Sequence, residues 1–152
     1  MINNIEQYLS GWRIDGLIGR GGYGEVYRIK KEELGYTYYA ALKVIEIPSY
    51  DNESRNLNVM GMSEDSLKTY YEDTAKEIAN EIRIMESLKG SGNIVHIEEH
   101  SLIPHEGKVG WTILIRMELM ETIQSYQKRA GAPAIKEVIK IGTHICSALG
   151  CC

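Results

Sequence analysis

The run Gly19-Arg20-Gly21-Gly22-Tyr23-Gly24 is the first part of this sequence whose residue types could do chemistry. Glycines without a Cβ let backbone N–H groups come close to phosphate oxygens, and three kinds of phosphate loop use that property. A Walker-type loop needs Lys and then Ser or Thr after the last glycine, whereas Glu25-Val26 follow here. A dinucleotide-binding turn needs a helix directly after the loop, but Val26-Tyr27-Arg28-Ile29 has the β-branched and aromatic character of a strand. What remains is a β-hairpin lid over a phosphate, weighed against an ordinary glycine-rich turn.

A second candidate favours the lid. Lys43 sits inside the apolar strand Ala40-Ala41-Leu42-Lys43-Val44-Ile45, where an ammonium is costly unless paired. Glu81 is the expected partner, three residues after Ile78 and four before Met85 on a helical apolar stripe. An ion pair between them beside a phosphate would offset both desolvation costs and fix the lysine as a point charge. The plainer alternative is that Glu81 edges the stripe into water. His96 and His100 lie four apart in a strand candidate and read as edge histidines, not metal ligands; no metal site is expected. Trp12, Trp111 and the cluster Tyr36-x-Tyr38-Tyr39 read as packing and strand-surface residues.

The elements that must position these groups follow from periodicity. Trp12–Ile18 and Glu25–Lys30 flank the glycines as a hairpin, and Tyr36–Ile47, ended by Pro48, reads as a strand buried on both faces. A polar stretch from Pro48 to about Ser63 has no clear period and reads as an inserted loop. Ala75, Ile78, Ile82, Met85 and Leu88 then mark a helix closed by Lys89-Gly90-Ser91-Gly92. Asn93–Ile103 and Trp111–Met117 are strand candidates around a turn at Pro104–Lys108. Beyond Glu118, Thr122–Arg129 suits a short helix. Ile135, Val138, Ile139, Gly142, Ile145, Cys146 and Leu149 form an apolar helical stripe opened by Pro133.

Composition narrows the class. With 152 residues the chain suits one domain, and 17 basic against 21 acidic residues leave a net charge of −4, without the basic surplus of a nucleic-acid or anionic-membrane binder. No stretch is long and apolar enough to span a bilayer, and the amino terminus lacks the basic start and apolar run of a secretory signal. Cys146, Cys151 and Cys152 are confined to the end and cannot staple a fold, so a reducing, cytoplasmic setting is expected.

In their order and wording these motifs resemble the protein kinase family. Gly19-x-Gly21-x-x-Gly24-x-Val26 resembles its glycine-rich loop, Ala41-Leu42-Lys43 its Ala-x-Lys strand, and Glu81 to Leu88 followed by Asn93-Ile94-Val95 the end of its regulatory helix and the strand after it. Met117-Glu118-Leu119-Met120 resembles the gatekeeper and hinge, and the phrasing around Ile115–Leu119 and Glu137–Gly142 is similar to bacterial serine/threonine kinases of the Firmicutes type. The resemblance implies an α+β small lobe over residues 1–117, with a five-stranded antiparallel sheet, one regulatory helix and an insertion at about 48–70. A hinge at 118–121 and the first helices of a helical large lobe at 122–152 would follow. It implies ATP as ligand, with adenine between Ile18, Val26, Ala41 and Met117, its edge bonded to the Glu118 carbonyl and the Met120 N–H. Lys43 would hold the α- and β-phosphates, Glu81 would orient Lys43, Gly19 to Gly24 would cover the phosphates, and the acceptor would be a protein Ser or Thr hydroxyl.

The same resemblance implies what the chain lacks. The family's catalytic and magnesium-binding aspartates come from His-Arg-Asp and Asp-Phe-Gly, yet no Asp follows Asp73, no Phe occurs, and no His is followed by Arg-Asp. Mg2+ would therefore be held only in a complete enzyme, and this chain alone is expected to transfer no phosphate. The competing expectation is a stand-alone pseudokinase-like interaction module, self-associating through the apolar stripe of the last helix.

Overall fold

The computed structural model describes residues 5–22, 24–48, 61, 63–107 and 109–151. Tyr23 and residues 49–60, where the inserted loop is expected, lie outside the described residues. A 3-10 turn, Ile5–Tyr8, leads into strands β1 (Arg13–Gly21), β2 (Gly24–Glu33) and β3 (Tyr36–Ile47). Helix α1 (Glu64–Ser87), strands β4 (Ile97–Pro104) and β5 (Trp111–Met117), and helices α2 (Ile123–Ala130) and α3 (Ile135–Leu149) follow. The five strands form one antiparallel sheet in the order β1-β2-β3-β5-β4, with β5 inserted between β3 and β4. The expected α+β class with a five-stranded antiparallel sheet is thus what the chain adopts.

Alternation along β3 sends two sets of side chains to opposite faces. Ala40, Leu42 and Val44 join Ile29 of β2 and Leu114 of β5 on one face, where Ile5 and Leu9 of the amino-terminal turn cover them and Trp12 packs at the margin. On the other face Ile47, Ile97, Ile113 and Ile115 meet Tyr71, Ala75 and Ile82 of α1, with Trp111 beside them. Full burial of each large aliphatic side chain contributes about 1.5–3 kcal/mol, which makes these two layers the main support of the sheet. Ala41 and Lys43 stand at two-residue steps from Ile45 and Ile47, so they belong to the face that α1 covers.

The expected burial of β3 on both faces holds only from Ala40 onward; Tyr36, Tyr38 and Tyr39 are exposed. The pairing explains this: β5 joins β3 only from Ala41↔Met117 to Ile47↔Trp111, so the tyrosine half has β2 as its sole neighbour. Helix α1 begins earlier than its apolar period suggests. Ser63 caps it, its Oγ accepting from the Ser66 N–H at 3.2 Å, and Glu64 and Asp65 favour the positive helix start. Residues 64–70, within the expected insertion, are therefore helical.

Helices α2 and α3 carry no buried residue. Thr122 caps α2, accepting from the Ser125 N–H at 3.1 Å. Glu137 caps the start of α3 by accepting from the Ala134 N–H at 2.9 Å and also accepts from the Tyr126 hydroxyl at 2.9 Å, tying the two helices together. That Ala134 bond, followed by the Tyr126 bond, holds the Glu137 carboxyl below the usual carboxylate range. Ile135, Val138, Ile139, Ile145 and Leu149 of α3 are exposed. Among the described residues no helix is long and apolar enough to cross a membrane.

Candidate functional site

The β1–β2 pairing ends at Gly21↔Gly24, which places the glycine run at the tip of a hairpin. Gly24 has φ +109°, and a Cβ there would lie 2.1 Å from the Val44 carbonyl oxygen, so the approach of β2 to β3 demands glycine at this position. Gly19, Gly21 and Gly22 differ: a Cβ would meet nothing within 4 Å at any of them. Packing among the described residues does not call for glycine there, and the side on which a Cβ would stand is open at each.

Cross-strand register assembles the rest. Val26 of β2, Lys43 of β3 and Ile115 of β5 stand side by side, and the next rung on the same face holds Arg28, Ala41 and Met117. Ile18 falls at a register slip in β1 and is exposed, so it borders these rungs from the hairpin edge. After β5, the Glu118 N–H donates to the His96 carbonyl at 3.2 Å, and the Glu118 carboxylate accepts from the His96 N–H at 3.0 Å. This anchors the connection to α2. Among the described residues neither the Glu118 carbonyl nor the exposed Met120 N–H has a hydrogen-bond partner.

Lys43 is half-buried beside Val26 and Ile115, and no ion pair or hydrogen bond joins its side-chain ammonium to another described residue. Glu81 belongs to the helix on the same side of the sheet, but its side chain is exposed and the expected ion pair with Lys43 is not formed. Ile82, only 2% exposed, takes the inward position. The reason lies in the stripe itself: Ala75, Ile78, Ile82 and Met85 set the direction of burial, and one residue is about 100° of rotation around a helix. Glu81 therefore points out beside Ile82. The structure brings together Lys43, Val26, Ala41, Met117 and the glycine hairpin, and it leaves Glu81 outside that group.

Two polar clusters near the hairpin are not evident from residue spacing alone. On the face away from Lys43, Arg20 Nε donates to Glu25 Oε1 at 2.6 Å and the Tyr27 hydroxyl donates to Glu25 Oε2. The Tyr27 bond, then the Arg20 bond, holds the Glu25 carboxyl below its usual range, and the same bond to Glu25 raises the Tyr27 hydroxyl. The available signal was an acid placed directly after the last glycine, opposite Arg20 in a tight hairpin. Farther along, Asp15 accepts from Arg28 at 2.6 Å and pairs with Lys30 at 3.3 Å, and Arg28 lies 5.8 Å from the Tyr39 ring centre. The bonds from Arg28 and then Lys30 lower the Asp15 carboxyl.

At the opposite end of the sheet the fully buried Thr112 donates to Glu46 at 2.7 Å and lies 3.0 Å from His105 Nε2, beside a groove of about 480 Å³ that Glu64, Lys68 and Trp111 help to line. His100 Nδ1 lies 3.0 Å from the Glu86 carboxylate, linking β4 to the end of α1. Neither protein-family models nor curated proteins give a match to this chain.

Proposed function

We propose that this chain is the ATP-binding portion of a protein serine/threonine kinase, the family its motifs resemble. One observation carries the reading: Lys43 is a half-buried cation on an apolar rung, without a carboxylate partner among the described residues. Such a cation is stabilised when an anion completes it, and a polyphosphate supplies that charge. Three features support ATP. The open glycines 19, 21 and 22 leave room beside the hairpin tip; Ile18, Val26, Ala41 and Met117 offer apolar surface for a purine; and the Glu118 carbonyl and Met120 N–H are available to its edge.

Magnesium does not fit the residues present, because the aspartates that hold it in the family have no counterpart after Asp73. No step through the metal follows, and the chain alone transfers no phosphate; a protein hydroxyl as acceptor and a cytoplasmic setting belong to the complete enzyme of this proposal. Glu81 serves Lys43 in this reading only if α1 turns by about 100°. The test is a 15N NMR titration with a non-hydrolysable ATP analogue. Saturable shifts at Val26, Ala41, Lys43 and Met117, lost in a folded Lys43→Met variant, are expected; an unchanged spectrum at millimolar analogue refutes the reading.

The exposure of Ile135, Val138, Ile139, Ile145 and Leu149 along α3 favours a second reading, an interaction module that pairs with another copy through this face. Light scattering should then give a dimer that Ile139→Glu returns to monomer, and a wild-type monomer at high concentration counts against it.

A further inference from the structure

We infer that Glu25 and Tyr27 are positioning residues for the glycine hairpin: with Arg20 they form a tether that runs from the hydrophobic core to the tip and holds the loop in the shape that receives phosphates. This inference rests on the nucleotide reading above and adds to it residues that touch no ligand.

The geometry is specific. Arg20 and Glu25 face each other on the rung next to the tip pair Gly21↔Gly24. Both oxygens of Glu25 are engaged, one by Arg20 Nε at 2.6 Å and the other by the Tyr27 hydroxyl. The Tyr27 ring in turn packs against the core cluster of Ile29, Leu42 and Val44. Because side chains alternate along β2, Glu25 and Tyr27 point away from Val26, and Val26 shares its face with Lys43. Arg20 is committed to Glu25 and Arg28, on the inner face, to Asp15, which leaves Lys43 as the inner-face cation of these three without a carboxylate partner among the described residues. A tip built from glycines loses more backbone entropy on ordering than any other sequence. A tether that orders it before the ligand arrives removes that cost from binding, and only a ligand long enough to reach beneath the loop benefits.

The experiment compares a non-hydrolysable ATP analogue with adenosine, both titrated into the folded chain by NMR, and follows hydrogen exchange of the amides at 19–25 without ligand. Tyr27→Phe removes the hydroxyl and keeps the ring, and Glu25→Gln removes the charge. Each should weaken the triphosphate analogue by roughly fivefold while leaving adenosine affinity unchanged, the size expected from a few newly freed backbone torsions. Each should also speed exchange at the tip. The charge-reversed pair Arg20→Glu with Glu25→Arg should slow exchange again relative to Glu25→Arg alone. Equal weakening of both ligands assigns the cluster a general structural role and overturns the inference, as does no weakening of either. If the wild-type chain binds neither ligand, the nucleotide reading fails by itself, and unaltered tip exchange in Tyr27→Phe would then overturn the tether as well.

Discussion

Replacing Ile82 by alanine tests how α1 is seated more directly than any change at the hairpin. Ile82 is 2% exposed and packs with Ile97, Ile113 and Ile115 in the middle of the helix–sheet layer. Truncation removes three carbon groups, at about 0.8 kcal/mol each or roughly 2.5 kcal/mol in transfer free energy. The unfilled space adds about 1 kcal/mol more, since the β-strand floor beneath cannot collapse into it. The expected loss is about 3.5 kcal/mol, roughly a 300-fold shift toward the unfolded state and a large part of the 5–15 kcal/mol typical of a domain. Equilibrium unfolding in urea should show it as a lower midpoint at an unchanged slope. Glu81→Ala, one position away but facing solvent, should leave the midpoint where it is. A loss on Glu81→Ala as large as that on Ile82→Ala would mean that the helix presents its acid to Lys43, and the described seating of α1 would be wrong.

Other substitutions separate the roles of neighbouring groups. Gly24→Ala should cost at least 1–3 kcal/mol by thermal unfolding, because φ is positive and the added carbon collides with the Val44 carbonyl, whereas Gly19→Ala should fold normally. Asp15 has its carboxyl lowered by Arg28 and Lys30, so its contribution is present above its ordinary value of 3.8 and disappears as pH falls through the lower folded value. The wild type should therefore exceed Asp15→Asn in urea midpoint near neutral pH, and the two curves should converge at the acid end; a gap that persists or widens there contradicts the assignment. Incubated with radiolabelled ATP, magnesium and a generic protein substrate, the purified chain should yield no labelled product.

Much of the sheet was legible because its signals are local. β3 and β5 end where Pro48 and Glu118 interrupt β-branched runs, and the glycine run between two strand-like segments specifies a hairpin. The face of Lys43 was readable from its two-residue steps to Ala41 and Ile45. The start of α1 was not: its first turns, Glu64–Thr74, carry inward contacts only at Leu67 and Tyr71, too few to display a period. The outward direction of Glu81 has a related cause. A stripe with members at Ile78, Ile82 and Met85 brackets it in sequence, but its direction is fixed by what the helix rests on, and that surface is assembled from β3, β4 and β5, the last two later in the chain. The Arg20–Glu25–Tyr27 cluster depended on register, which a sequence with glycines at four of six positions leaves undetermined.

The amino-terminal turn has a bearing on how the molecule is made. Ile5 and Leu9 rest on Leu114, a residue of the final strand, and that strand itself threads between two others already synthesised. On a ribosome this turn, which precedes all five strands, must wait, unseated, until almost the whole sheet has left the tunnel. Assembly should then be slow and concerted, as for any topology ruled by distant pairings, and nascent chains halted before Trp111 should expose Ile29, Leu42 and Val44 to chaperones.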